Sequence, residues 1–140
     1  MSHYYCFTFS AIESTVRYCD NQANDLDLIG SYVHLGLQRA KSLKQLNSVR
    51  TAHMRVVNTL IETMCDSNIP LVWREHCFLY IKRLMPLLFE MLSRDEYDKK
   101  TIQINTLYHY FICKQLTQSP TKAKTHHTTT INNLIKRRNL

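Results

Sequence analysis

The sequence predicts an all-α fold, a single small bundle of about five helices followed by a flexible basic C-terminal tail. Three observations predict it. The 140 residues hold only two glycines and three prolines, too few for the many turns of a β-sandwich, while strong helix formers are plentiful. Between positions 49 and 64, Val49, Ala52, Val56, Val57, Leu60, Ile61 and Met64 recur with a 3.6-residue period. The stretch Leu71–Leu92, LVWREHCFLYIKRLMPLLFEML, carries 15 apolar residues among its 22. Its polar residues Glu75, Lys82, Arg83 and Glu90, with Ser93, fall on one narrow helical stripe. The other faces are then left for burial, so this helix is expected to be surrounded.

The first nine residues, rich in aromatics, read as a short arm packed on the bundle, with a strand as the alternative. Ser10 and Glu13 have the S-x-x-E spacing of a capping box, which predicts that the first helix starts there and ends near Cys19. Asp20–Asn24 is a polar turn, and Asn24 or Asp25 is the expected cap of a second helix whose Asp27 suits the positive end of the dipole. That helix reads to about Leu46 along Leu28, Ile29, Tyr32, Leu35, Ala40 and Leu43. Gly30 and Gly36 weaken it and point to close helix packing. Asn47-Ser48 breaks and recaps the chain before the third helix, which ends around Cys65–Asn68.

Pro70 stands in the first turn of the Leu71–Leu92 helix, where its missing amide hydrogen costs nothing. Pro86 lies inside that helix and predicts a kink, or two helices meeting there. Ser93 and Glu96 repeat the capping-box spacing, with Asp95 as an alternative cap. A last helix follows along Ile104, Leu107, Tyr108, Phe111 and Ile112 towards Leu116, its start at Thr101-Ile-Gln-Ile also alternating like a strand. The domain therefore reads as residues 1–118, and 119–140 as a flexible tail with a short turn near Ile131–Ile135.

The formal net charge is +7, and its layout is uneven. Residues 117–140 carry five basic residues and no acid, whereas residues 1–116 carry 13 basic and 11 acidic groups, so a nearly neutral body bears a basic tail. No apolar run reaches the about 20 residues that a membrane-spanning helix needs. The N-terminus lacks the basic start of a secretory signal. Five cysteines without a CxxC pair then fit idle or buried thiols under reducing conditions.

Two basic groupings are candidate sites. In the tail, Lys122 and Lys124 are separated from Lys136, Arg137 and Arg138 by the 11 residues Thr125–Ile135, a layout resembling a bipartite nuclear-import signal in which Ala123 splits the first cluster. An import receptor's acidic grooves are the expected partner, with an anionic tether or solubilising charge as alternatives. In the body, Arg39, Lys41, Lys44, Arg50 and Arg55 have no acid between them and are candidate nucleic-acid contacts. A helix turns Arg39 away from Lys41 and Lys44, and no aromatics are interleaved, so a solvated face is the preferred reading over a phosphate groove.

His109 and Cys113 have the i, i+4 spacing of paired metal ligands, but two ligands do not make a zinc site. His76 and Cys77 are adjacent and point apart on a helix, a poor arrangement for a catalytic thiolate. His126-His127 belong to the tail. Trp73, Phe78 and Phe89 read as core aromatics. No catalytic constellation, metal site or cofactor motif stands out, and the chain is expected not to be an enzyme.

The near-neutral helical body, its cysteines without a ligand motif and the basic tail together resemble the small seventeen-kilodalton nonstructural shuttling proteins of fusogenic orthoreoviruses. The match lies in overall length and in Lys136, Arg137 and Arg138, which agree in kind with that family's C-terminal import signal. The resemblance implies a viral accessory protein that moves between cytoplasm and nucleus and modulates host processes through contacts with host proteins. From the residues, the leading expectation is a non-enzymatic regulatory protein with an import tail. The alternative is a nucleic-acid-binding protein using Arg39–Arg55 together with the tail.

Overall fold

The computed structural model describes residues 2–20 and 24–118. Within them five helices pack together: α1 (Ser2–Tyr18), α2 (Asp27–Lys41), α3 (Leu46–Met64), α4 (Leu71–Met91) and α5 (Arg94–Tyr108). α5 continues through a π-helical segment, His109–Cys113, into the short α6 (Lys114–Gln118). Helices consecutive in the chain run antiparallel. Glu13 of α1 meets Tyr32 of α2 while Phe9 reaches Gly36, Arg74 of α4 reaches back to Met64 of α3, and Phe78 and Phe89 of α4 meet Tyr108 and Tyr97 of α5. No described helix is long and apolar enough to cross a membrane.

α3 is the most deeply placed element. All the periodic positions read from its sequence except Val49 are buried, and His53 and Thr63 are buried with them. It packs on α1, α2 and α4 and reaches α5 through Arg50 and Glu96. α4 is not surrounded as expected. Its buried residues Trp73, Arg74, Cys77, Ile81, Leu84 and Leu88 share one side, while Val72, Leu79 and Phe89 join the polar stripe in solvent. α2, α3, α5 and the π segment pack on α4 and leave the face of the polar stripe open, so apolar content overstated how much of it is enclosed.

Several element boundaries differ from the sequence expectation. α1 starts at Ser2, so residues 2–9 are helix and not an arm. Nothing from Ser2 to Tyr18 breaks a helix, there being neither glycine nor proline in it, and Phe9 packs into the core in phase with Ile12 and Val16. Ser10 is therefore an interior position, and Glu13 turns inwards instead of back to an N-cap. α1 closes at Cys19, whose positive φ of 53° is the left-handed turn that ends many helices. α2 starts after Leu26 with no side-chain cap, so neither Asn24 nor Asp25 fills that role. Backbone turns do the work instead, the Leu28 and Ile29 amides donating to the Asp25 and Leu26 carbonyls.

α2 ends at Lys41, earlier than expected. The Ser42 hydroxyl donates to the Arg39 carbonyl at 2.7 Å, and Gln45 is extended, so the chain reverses over residues 42–45. Asn47 and Ser48 then belong to the first turn of α3. α4 is a single helix that runs through the solvent-exposed Pro86. Pro70 immediately precedes α4 as its N-cap. The Ser93–Glu96 capping box is present in both halves, and Thr101–Ile104 is helical.

Candidate functional site

The described basic residues do not act as one patch. Arg39, at the last turn of α2, lies over the Phe9 ring with its guanidinium carbon 5.1 Å from the centroid, and Arg55 of α3 lies 5.0 Å from the same centroid. Phe9 itself is buried and stacks on Tyr32 at 5.3 Å. Glu13 organises this cluster. Arg55 donates to both its carboxylate oxygens, Nη2 at 2.8 Å and Nε at 3.0 and 3.2 Å, while the Tyr32 hydroxyl donates to Oε2 at 2.7 Å. Burial, then the Glu13 contact, pushes the Tyr32 phenol far above its usual range despite a Thr59 hydrogen bond acting the other way.

Arg50 is engaged elsewhere, its Nη2 lying 2.6 Å from Glu96 Oε2. That contact and the Ser93 amide hold the Glu96 carboxyl below the usual range. Lys41 and Lys44 are exposed and have no ion pair among the described residues. Because α2 stops at Lys41, these two lysines do not share a helix face. Of the five candidate nucleic-acid contacts, the fold thus gathers Arg39, Arg50 and Arg55 over α3 and leaves Lys41 and Lys44 at its margin.

Three adjoining hollows run across the outer face of α3. The first, about 400 Å³, lies between Arg39, Leu43, Ser48 and Arg55. The second, about 540 Å³, shares Asn47, Thr51 and Arg55 with it and extends to Arg50 and Asn58. The third, about 420 Å³, shares Arg50 and Met54 with the second and reaches Glu96, Lys99 and Lys100 on α5. Together they form one open groove with α3 as its floor, the end of α2 as one wall and α5 as the other. Lys100 Nζ donates to Asn58 Oδ1 at 2.9 Å across it, and burial lowers the lysine's pKa.

A second surface is the solvent side of α4. Val72, Leu79, Pro86 and Phe89 lie there beside Lys82 and Arg83, with Glu75 and Glu90 towards the ends. Lys82 sits over the Phe78 ring at 5.7 Å and Arg83 over Tyr80 at 5.0 Å, and neither has a carboxylate partner among the described residues. Of the three aromatics expected in the core, Trp73 is fully buried and its Nε1 donates to the Val16 carbonyl at 2.9 Å. Phe78 is half-buried and stacks on Tyr108. Phe89 is 54% exposed and meets Tyr97 edge-on, so it is a surface residue.

Sequence reasoning missed Arg74. It is 1% exposed, and its guanidinium donates to the Met64 carbonyl at 2.8 Å, Gln115 Oε1 at 2.8 Å and the Phe111 carbonyl at 3.0 Å. Desolvation lowers its pKa, with the thiol of Cys65 and the carboxylate of Asp66 opposing that shift. The signal was in the sequence. Arg74 is out of phase with the stripe of Glu75, Lys82 and Glu90, so a helix that exposes the stripe turns Arg74 inwards.

The remaining sequence candidates lie apart. Cys77 is fully buried, and burial pushes its thiol up to about 12, which keeps it protonated at neutral pH. His76 packs edge-on against Tyr80. His109 is exposed and Cys113 half-buried at the two ends of the π segment. Among the described residues no three His, Cys, Asp or Glu side chains converge as metal ligands. Lys122, Lys124, Lys136, Arg137, Arg138 and His126-His127 lie outside the described residues. Compared with protein-family models, curated protein sequences and solved structures, the chain matches none.

Proposed function

We propose that this chain is a non-enzymatic accessory protein that acts through protein contacts and enters the nucleus by its C-terminal basic tail. The observation that carries the contact half of the reading is the solvent side of α4. There Leu79, Phe89 and Val72, between 41% and 54% exposed, accompany two cations without carboxylate partners. Apolar groups in that setting favour burial against a partner. The fitting partner is an amphipathic helix with apolar residues at helical spacing and a carboxylate at its centre to meet Lys82 and Arg83. The import half rests on Lys122, Lys124, Lys136, Arg137 and Arg138, and the resemblance to orthoreovirus shuttling proteins points the same way.

The test has two arms. Full-length protein and a Leu79→Ser, Phe89→Ser variant are used to capture partners from nuclear and cytoplasmic extracts. Both changes fall on exposed side chains, so the fold is expected to persist while the captured set shrinks. Residues 119–140 fused to a cytoplasmic reporter too large for diffusion are expected to make it nuclear, and Lys136→Ala, Arg137→Ala, Arg138→Ala together to return it. An unchanged captured set removes the α4 contact, and a reporter that stays cytoplasmic removes the import role.

A further inference from the structure

The geometry points to a binding groove for single-stranded nucleic acid along the outer face of α3, with Arg39 on its α2 wall and Lys100 on its α5 wall holding phosphodiester groups. The α2 wall and the α3 floor carry the first reason. From Leu28 to Ile61, which spans most of α2 and most of α3, the chain contains no acidic residue. Arg39 is half-buried on the α2 wall of the groove, with the aromatic face of Phe9 against it and no carboxylate in ion-pair range among the described residues. Lys100 stands on the α5 wall, bonded to the neutral Asn58 amide. Both cations therefore keep an uncompensated charge beside a concave surface, where an anionic strand is attracted.

The floor carries the second reason. Between the two cations it presents the polar Asn47, Ser48, Thr51 and Asn58 beside the apolar Ala52 and Met54. Amide and hydroxyl side chains of this kind contact phosphate and sugar oxygens. A protein helix would instead need exposed apolar anchors, which the solvent side of α4 carries. From Asn47 to Asn58 the floor is about 16 Å long at the rise of an α-helix, room for two or three phosphates of an extended strand. Its width is that of one helix between α2 and α5, which admits one backbone. Phe9 is buried beneath the arginines and offers no stacking platform, so binding is independent of base sequence.

Arg50 and Arg55 line the same groove but are held by Glu96 and Glu13. Glu96→Gln provides a gain-of-binding test, because glutamine also serves in a capping box and its loss of charge releases Arg50 to the groove. This inference is independent of the protein-contact reading, since the groove and the α4 surface are separate.

The experiment is fluorescence anisotropy of full-length protein with labelled single-stranded RNA and DNA, and with duplex, over a series of salt concentrations. Binding of mixed-sequence single strands is expected, with Arg39→Gln, Lys100→Gln together reducing the log–log salt slope by about 1.4, the contribution of two phosphates. Glu96→Gln is expected to tighten binding by roughly two- to fivefold, the worth of one exposed ion pair. Thermal melts check that Arg39→Gln folds, and Lys100→Gln and Glu96→Gln carry the test if it does not. No retention at low salt overturns the proposal. So does binding that survives the groove changes but disappears with Lys136→Ala, Arg137→Ala, Arg138→Ala, or competition by polyglutamate as strong as that by the oligonucleotide. Tighter binding of duplex than of single strands overturns the single-strand assignment.

Discussion

A buried guanidinium with three neutral acceptors is the most consequential single residue in the fold. Arg74 completes the last turn of α3 at the Met64 carbonyl, where the negative end of the helix dipole favours a cation. It also takes the Phe111 carbonyl, which lies in the π-helical stretch where the regular hydrogen-bond ladder is interrupted. One side chain thus ties α3, α4 and the π segment together. Arg74→Met keeps much of the apolar volume but leaves buried acceptors unpaired, and an unfolding free energy lower by about 3 kcal/mol is expected in urea titrations. Arg74→Lys is expected to recover little of it, because one ammonium cannot reproduce the fork that reaches three separate acceptors. A methionine variant as stable as the parent would show that the three hydrogen bonds only balance the desolvation of the charge.

At the scale of elements, the contact of α2 with α3 is set by a glycine. A methyl group added at Gly36 would collide with a Val56 methyl, in the interior where α2, α3 and Phe9 meet. Gly30 is less constrained. The nearest atom to an added methyl there is the Tyr80 hydroxyl at 2.5 Å, the far end of a side chain that can turn away. Gly36→Ala is expected to lower stability by about 1–3 kcal/mol through overpacking. Gly30→Ala is expected to be near neutral, since alanine's helix preference of about 1 kcal/mol offsets the displacement of Tyr80. Paired thermal melts decide it, and equal effects at both positions would contradict the close approach at Gly36. The same contact explains why the sequence suggested tight packing here while leaving its partner unnamed.

Across the whole molecule, ion pairs join helices that are distant in the chain. Arg17 of α1 lies 2.8 Å from Asp66, which follows α3, and 3.6 Å from the more exposed Glu62. The Arg17 hydrogen bond, followed by the Asn68 amide, holds the Asp66 carboxyl below its usual range. A carboxyl with a lowered folded-state pKa stabilises the fold at pH values above its unfolded pKa of about 3.9, and that contribution fades as pH falls through the folded value. Asp66→Asn is accordingly expected to cost about 1.5 kcal/mol at neutral pH and much less near pH 2. Denaturant titrations at the two pH values check it. An equal loss at both would mean that Asp66 acts through the turn it forms with Asn68 and not through its charge.

The sequence by itself determined the all-helical class, the buried face of α3, the Ser93 capping box and the closeness required at Gly36. Each depends on local spacing or on a local steric limit. It also placed Arg39, Arg50 and Arg55 in one acid-free stretch. Tertiary structure decided what these residues meet. Glu13 is separated from Arg55 by 42 positions and Glu96 from Arg50 by 46, so neither pairing has a periodic signature, and both were missed. The same holds for Phe9, which reads as part of an arm until α2 and α3 close over it. Burial of α4 could not be read from its composition either, because an apolar helix becomes central only when neighbours cover every side, and here one face stays open. Local periodicity records which way a side chain faces, whereas the identity of the group it faces is fixed only when the helices dock.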